Sequence, residues 1–476
     1  MGWFICKRID AVPPTLALLT WLVLLLALLY FDPAKEPKTS VVLWVPAIWM
    51  FIIASRLPSQ WLGYQVAGFA AQAFQEGNPM DRTVWVLLIL AAVGILISRS
   101  FQWGNFFMRN LALIAFLSFA LLSVMWSDFP YITFKHWFRD LGSYLVILVV
   151  LSDPRPLEAV RTVFRRLAYL LIPLSVTLVK YFPYMAVQYD PWTGERYCVG
   201  PTTSKNMLGA LCLISGIFFF WDTVERWSER KESRTRRIIL VNVAFMGMTL
   251  WLLHLASSAT STVCLVIGCL VIAAVHTKMG KSHLGFLMTL APGSFFLYLI
   301  LALGLGMNGI LNGLVGRAAN FTDRTLIWDA LLDMHTNPVV GTGYQSFWLG
   351  SRLAWLWQHG MYINEAHNGY LEVYLELGLI GLLLLCLFLI ASYRRICRRF
   401  DTSMGFSSLA LATWTMLIFY NVTEAAFGGG VLWMLLVLGS VNLPEPIGNR
   451  TRCIPEFDAY DIKSPAEPSL EITVQH

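Results

Sequence analysis

The chain of 476 residues is 57% hydrophobic and only 13% charged, against about 25% charged in a soluble globule, which excludes a water-soluble domain. Its formal net charge of +6 would suit nucleic acid, but the arginines cluster in short loops between apolar runs, the positive-inside pattern of a polytopic membrane protein. The partner implied is a lipid bilayer, not nucleic acid.

Apolar runs of spanning or near-spanning length centre on 16–31, 40–55, 84–98, 110–126, 137–152, 166–181, 206–221, 238–256, 260–276, 284–307, 373–393, 405–421 and 429–443. The first, preceded by Lys7 and Arg8, could mimic a signal peptide, but no small-residue cleavage site follows it, so it is read as retained. Isolated spans must satisfy their own backbone hydrogen bonds, and the two-residue alternation of a barrel strand is missing, so helices are expected throughout. The fold class is an all-α bundle of about 12–13 transmembrane helices by the run count. Its expected organisation is a helix bundle over 1–307, an external loop over 308–370, three more helices over 371–443 and a Pro-rich, disordered cytoplasmic tail over 444–476.

The basic loops Arg155 to Arg166, Arg226 to Arg237 and Arg394 to Arg399 are expected on the cytoplasmic side. Counting spans between them puts Lys180 to Lys205 and the 308–370 loop outside. The same count gives an external N-terminus, at odds with Lys7 and Arg8 unless one early run is re-entrant or interfacial. No internal repeat suggests the duplicated halves of a transporter. The eight cysteines are scattered, without C-x-x-C or Cys/His spacing for a metal or redox pair.

In the long loop, Leu326, Ile327, Ala330, Leu331 and Met334 suit a short amphipathic helix, capped by Asp323 and carrying Arg324 in its first turn, with Arg317 upstream. Pro338 and Gly341-Thr342-Gly343 end it. Tyr344, Phe347, Trp348, Trp355, Trp357 and Tyr362 follow, aromatic faces that suit sugar rings or the bilayer interface. In the preceding external loop Lys205 sits at the outer start of a helix. With the first-turn amides it makes an anion site, or it is a snorkelling lysine. Glu365-Ala366-His367-Asn368-Gly369-Tyr370-Leu371-Glu372 puts a titratable imidazole where the loop re-enters an apolar helix.

Cations at Lys205, Arg317 and Arg324, an imidazole at His367 and aromatic surface together suit glycan transfer from a lipid pyrophosphate to a hydroxyl. The cations neutralise the departing pyrophosphate and the imidazole takes the hydroxyl proton. The bland reading of His367 is a polar interface residue. A D-x-D pair for metal-bound nucleotide sugar and a G-x-x-x-x-G-K-[ST] loop for ATP are both missing, so neither metal nor cofactor is indicated. A flippase or other transporter is the rival of another class, although intramembrane charge is sparse for proton coupling.

The segment Ala366-His367-Asn368-Gly369-Tyr370-Leu371, followed by Glu376-Leu377-Gly378-Leu379-Ile380-Gly381, resembles the signature of the O-antigen ligase and polymerase superfamily. Arg324-Thr325-Leu326-Ile327-Trp328, Pro338 to Tyr344, Ser123 to Asp128 and Lys205-Asn206-Met207-Leu208-Gly209 are similar to further stretches of it, most closely in its exopolysaccharide-production branch. The resemblance implies a GT-C-like, metal-independent, inverting transfer from an undecaprenyl-pyrophosphate-linked glycan to an acceptor glycan or glycolipid. It implies a periplasmic active face on a bacterial inner membrane, working beside polysaccharide export and chain-length proteins. The product is a polymerised repeat unit or, on the ligase alternative, a glycan joined to a lipid core. His367 takes the essential histidine position, with Arg324, Lys205 and Arg317 on the pyrophosphate and Asp323, Asn368, Glu376 and Tyr344 in support. The family's Ser-Arg pair corresponds to Ser257 to Ser261, which holds no arginine; Arg324 and Lys205 stand in its place.

Overall fold

A computed structural model describes residues 13–35, 40–63, 77–189, 194–301 and 321–442. Lys7, Arg8, Arg317 and the 444–476 tail lie outside the described residues. The long helices are α1 (Pro14–Phe31), α2 (Trp44–Ile53), α3 (Pro79–Ser98), α4 (Leu111–Leu122), α5 (Pro130–Leu151), α6 (Pro156–Tyr181), α7 (Lys205–Arg226), α8 (Ser233–Ala256), α9 (Ala259–His276) and α10 (Leu284–Leu299). Then come α11 (Phe321–Leu332), α12 (Gly350–Gln358), α13 (Gly369–Arg399), α14 (Met404–Thr423) and α15 (Gly430–Ser440). Several start on a proline that needs no hydrogen-bond acceptor in the first turn, as Pro14, Pro79, Pro130 and Pro156 do.

Each apolar run of the sequence falls on a helix, and the protein is a multi-pass, all-α membrane protein. By length and composition eight described helices can cross a membrane, nine when a bent pair is counted as one span. That pair, Trp103–Arg109 and Leu111–Met125, turns through 96°. The turn falls at Asn110, whose side chain donates to Asn442 O (2.9 Å) and accepts from Arg395 (2.8 Å). Helix α2 and helices α10 and α15 are apolar but shorter. One small element departs from the all-helix expectation, a two-stranded antiparallel hairpin pairing Val187–Tyr189 with Arg196–Cys198.

Polar contacts sort the helix ends onto two faces. On one face Arg99 pairs with Asp153 (3.0 Å), Arg165 with Asp222 (2.5 Å), and Arg395 donates to Ser440 O (3.0 Å). Every basic loop lies there. On the other, Ser59 N donates to Asp81 (2.8 Å), Arg56 to Thr202 O (3.2 Å) and Asn206 to Glu424 (2.8 Å). Helix α7 is central, with 72% of its apolar window buried, while α1 is 11% buried and turns its leucines outward.

Two features shape the outer face. Helix α13 is broken, because Gly378 has φ 63°, ψ −164°. The freed amides of Leu379 and Ile380 donate to Pro338 O (2.9 Å) and Val339 O (3.1 Å), and Glu376 O accepts from Gly343 N (2.8 Å). A Cβ on Gly378 would lie 2.3 Å from the Val339 carbonyl, so only glycine fits. The long loop, meanwhile, has its own apolar core, where Leu331 packs with Phe347, Leu353, Leu356, Ala366 and Leu375.

Candidate active site

The His-Asn-Gly segment is held from every side. Asn368 caps α13, its Oδ1 accepting from Tyr370 N (3.0 Å) and Leu371 N (3.1 Å). Gly369 N donates to Glu424 O (3.0 Å), and a Cβ on Gly369 would lie 1.9 Å from Asn421 Oδ1. Trp328 Nε1 donates to Ala366 O (2.8 Å), and Ala366 N to Glu372 (2.8 Å). Between these anchors His367 takes a left-handed conformation, φ 48°. Such a backbone costs a non-glycine residue about 1–3 kcal/mol and persists only where its surroundings enforce it. The anchors aim the imidazole at two carboxylates.

Glu424 is the hub. It is 3% exposed, in the turn between α14 and α15. Its Oε1 pairs with Arg324 (3.3 Å), its Oε2 accepts from Asn206 (2.8 Å) and lies 3.5 Å from His367 Nδ1. Arg324 also donates to Thr423 O. Glu365 approaches the same nitrogen at 2.9 Å, off the direction of a good hydrogen bond, so the contact is charge pairing. Burial pulls the imidazole pKa down, but Glu365 and Glu424 outweigh it and raise it to about 9. At neutral pH the resting His367 is therefore imidazolium, which differs from the near-neutral base expected from the sequence.

Lys205 opens α7, next to Asn206 and behind the Ser204 cap that accepts from Met207 N (3.2 Å); its ammonium lies 4.9 Å over the Tyr197 ring. The Ser257 to Ser261 stretch starts α9 beside the hub, with Thr260 Oγ1 2.7 Å from Thr423 Oγ1. That stretch holds no arginine, and Arg324 reaches the hub from the loop.

Other expectations need correction. Asp323 falls inside α11, which runs from Phe321, so it is not the residue before the helix. Leu326 points outward, 65% exposed, and the buried side of α11 is Ile327, Leu331 and Met334. Phe347 and Trp348 are core of the loop, not sugar platforms; Trp355 and Tyr362 are exposed. Tyr344 and Glu376 belong to a second polar cluster. Tyr344 Oη donates to Asp140 (2.9 Å) with Gly428 O also 3.1 Å away, Gln345 donates to Asp140 (2.6 Å), and the buried Glu376 carboxyl meets the Gln345 backbone. The sequence alone assigns no role to Glu424, between the last two apolar runs, nor to Asn206 and Glu365 within the segments quoted for them. A lone carboxylate at an outer helix end was the signal.

The geometry defines a polytopic membrane protein with a histidine–carboxylate–arginine cluster on the face opposite its basic loops. The O-antigen ligase family (Wzy_C) matches residues 243–386, which include Arg324 and His367 but not Lys205 or Glu424. The chain is also similar to the exopolysaccharide production protein ExoQ of Rhizobium meliloti (strain 1021), 28% identical over 309 residues. That alignment covers 61% of this chain and 66% of ExoQ, so the chain spans just under two thirds of the length of that relative. Residues 243–386 are thus similar to the O-antigen ligase family, in line with the superfamily resemblance read from the sequence.

Proposed function

We propose that the protein is a membrane glycosyltransferase that moves a glycan from undecaprenyl pyrophosphate to a sugar hydroxyl on the periplasmic face, polymerising exopolysaccharide repeat units. The observation that carries this reading is the Glu424 hub, which gathers Arg324, His367 and the start of α7 at one mouth of the bundle. The acceptor O–H gives its proton to His367 as its oxygen attacks the anomeric carbon. The bond from that carbon to the pyrophosphate oxygen breaks, and the electron pair leaves with the pyrophosphate. Arg324 and Lys205 stabilise that charge, the guanidinium by a two-pronged grip. Because the imidazole starts protonated, it first passes its proton to Glu365 or to water. With a pKa of about 9, roughly 3% is neutral at pH 7.5, offset by its greater strength as a base.

A ligating nitrogen and carboxylate oxygens of Glu365, His367 and Glu424 lie within 4.8 Å of one another, a spacing open to a metal ion. Arg324 and Asn206 already occupy both oxygens of Glu424, and a guanidinium there opposes a second cation. The reaction is accordingly read as metal-independent. The ligase reading is favoured by the family matched, the polymerase reading by the similarity to ExoQ, an exopolysaccharide production protein.

The test is glycan output, by gel banding, from a deletion strain carrying wild type or His367→Ala at matched membrane levels. Loss of polymer with accumulated lipid-linked single repeats is expected. Accumulated full-length lipid-linked chains would assign the ligase, and unchanged output would overturn the catalytic role of His367.

A further inference from the structure

On the basic face, away from His367, the ends of α1, α6 and α7 border a cavity of about 170 Å³. Lys35, Arg161, Arg165, Arg166 and Arg226 line it, against Asp32 and Glu158. The buried Asp222 beneath is saturated. It accepts from Arg165 (2.5 Å), Arg226 (3.0 Å) and Asn242 (2.9 Å), with Arg161 Nε at 3.2 Å. Glu158 is taken by Arg161 (2.6 Å), and Asp32 Oδ1 by Tyr169 (3.1 Å) and Ala34 N (2.9 Å). Among the described residues, that leaves Arg166 without a carboxylate. Its guanidinium lies 4.3 Å over the Trp44 ring, and its Nη1 is buried with no hydrogen-bond partner among the described residues.

A buried, unsatisfied guanidinium N–H is costly unless something outside the chain accepts from it. Positive charge in excess, a planar donor held over an indole and a cavity large enough for a phosphate group describe a phosphate acceptor. Beside the cavity, a shallow groove lined by Phe31, Leu240 and Val241 carries Arg234 and Arg237. An acyl chain could lie there while its phosphate enters the cavity, as in basic sites between helices on the cytoplasmic side.

We propose that this cavity binds a phosphate group, with Arg166 as its principal donor and Lys35 at its rim, at a site separate from the transfer reaction. The phosphate arrives on an anionic phospholipid or on a soluble molecule, and the test has an arm for each. Purified full-length protein in neutral detergent is melted, followed by tryptophan fluorescence, with added phosphatidylglycerol, phosphatidylcholine or inorganic phosphate. Phosphatidylglycerol is expected to raise the Tm, phosphatidylcholine not to, and Arg166→Gln to weaken the response at least fivefold in half-saturating lipid. Lys35→Gln, at an exposed position, provides a second variant should Arg166→Gln fold poorly, and Arg230→Gln, on the same face outside the cavity, leaves the response intact. A response to inorganic phosphate that Arg166→Gln abolishes supports the site with a soluble ligand. Equal responses of wild type, Arg166→Gln and Lys35→Gln, or equal stabilisation by both lipids, would overturn the proposal. Because the readout is binding, its failure leaves the glycosyltransferase reading untouched.

Discussion

Glu424 does more for the site than any residue the sequence singled out, because one buried carboxylate fixes an arginine, an amide and an imidazole at once. Its charge also helps hold the proton on His367, whose pKa of about 9 is a balance between burial and two carboxylates. The sign follows directly: the imidazolium is populated below that value and the base above it, so transfer by a general base climbs with pH until about 9. Glu424→Gln keeps the shape but removes one of the two stabilising charges. The apparent pKa of the rate profile in membrane vesicles is expected to fall toward the ordinary histidine range of about 6.5, with transfer reduced at least tenfold by loss of the charge that pairs with Arg324. A profile that instead declines through pH 9 would make the imidazolium itself the working form, a cation on pyrophosphate rather than a base. His367 and Arg324 were legible because rare ionisable residues at a membrane border stand out against apolar helix. The partner was harder to see, since Glu424 is some sixty residues away along the chain and only helix packing brings it near.

At the level of elements, the apolar runs were legible because a span's composition is dictated by the hydrocarbon it crosses, while polar helix ends were not, as where α6 starts at Pro156 and the run only at 166. Where backbone leaves the helix, sequence patterns fell silent. The run from 373 to 393 reads as one unbroken helix, yet α13 breaks at Gly378, because the loop carbonyls of Pro338 and Val339 capture the amides that the break releases. The aromatics misled for a related reason: the loop is large enough to need its own core, and Phe347 and Trp348 build it. Gly378→Ala tests the break. The new methyl would meet backbone atoms, which no rotamer change can clear, and would sit at φ 63°. Loss of transfer and a lower yield of monodisperse protein on size-exclusion chromatography are expected. Gly247→Ala, with nothing within 4 Å of the added carbon, is the silent control.

For the whole molecule, the chemistry proposed requires that the two polar faces lie on opposite sides of the membrane. Hydrogen bonds tie Arg56 to Thr202 on the face of His367, and pair Arg165 with Asp222 on the basic face. On the proposed function, the side with the arginine excess lies in the cytoplasm, and Glu424 and His367 face lipid-linked glycan outside. Tyr184, 80% exposed beside the carbonyl of Met185 that Arg56 holds, reports the outer face, and Arg230, exposed after α7, the inner one. The described native cysteines are buried or half-buried, and Cys6 and Cys453, outside the described residues, are replaced by serine in both labelling variants. In intact cells with a permeabilised outer membrane, Tyr184→Cys is expected to react with a membrane-impermeant maleimide at once, and Arg230→Cys only after the inner membrane is opened. The reverse order would put the histidine cluster in the cytoplasm, where a pyrophosphate-linked donor awaiting export and a nucleotide sugar are both at hand. Transfer on the outer leaflet would then be untenable, whatever His367→Ala does to output.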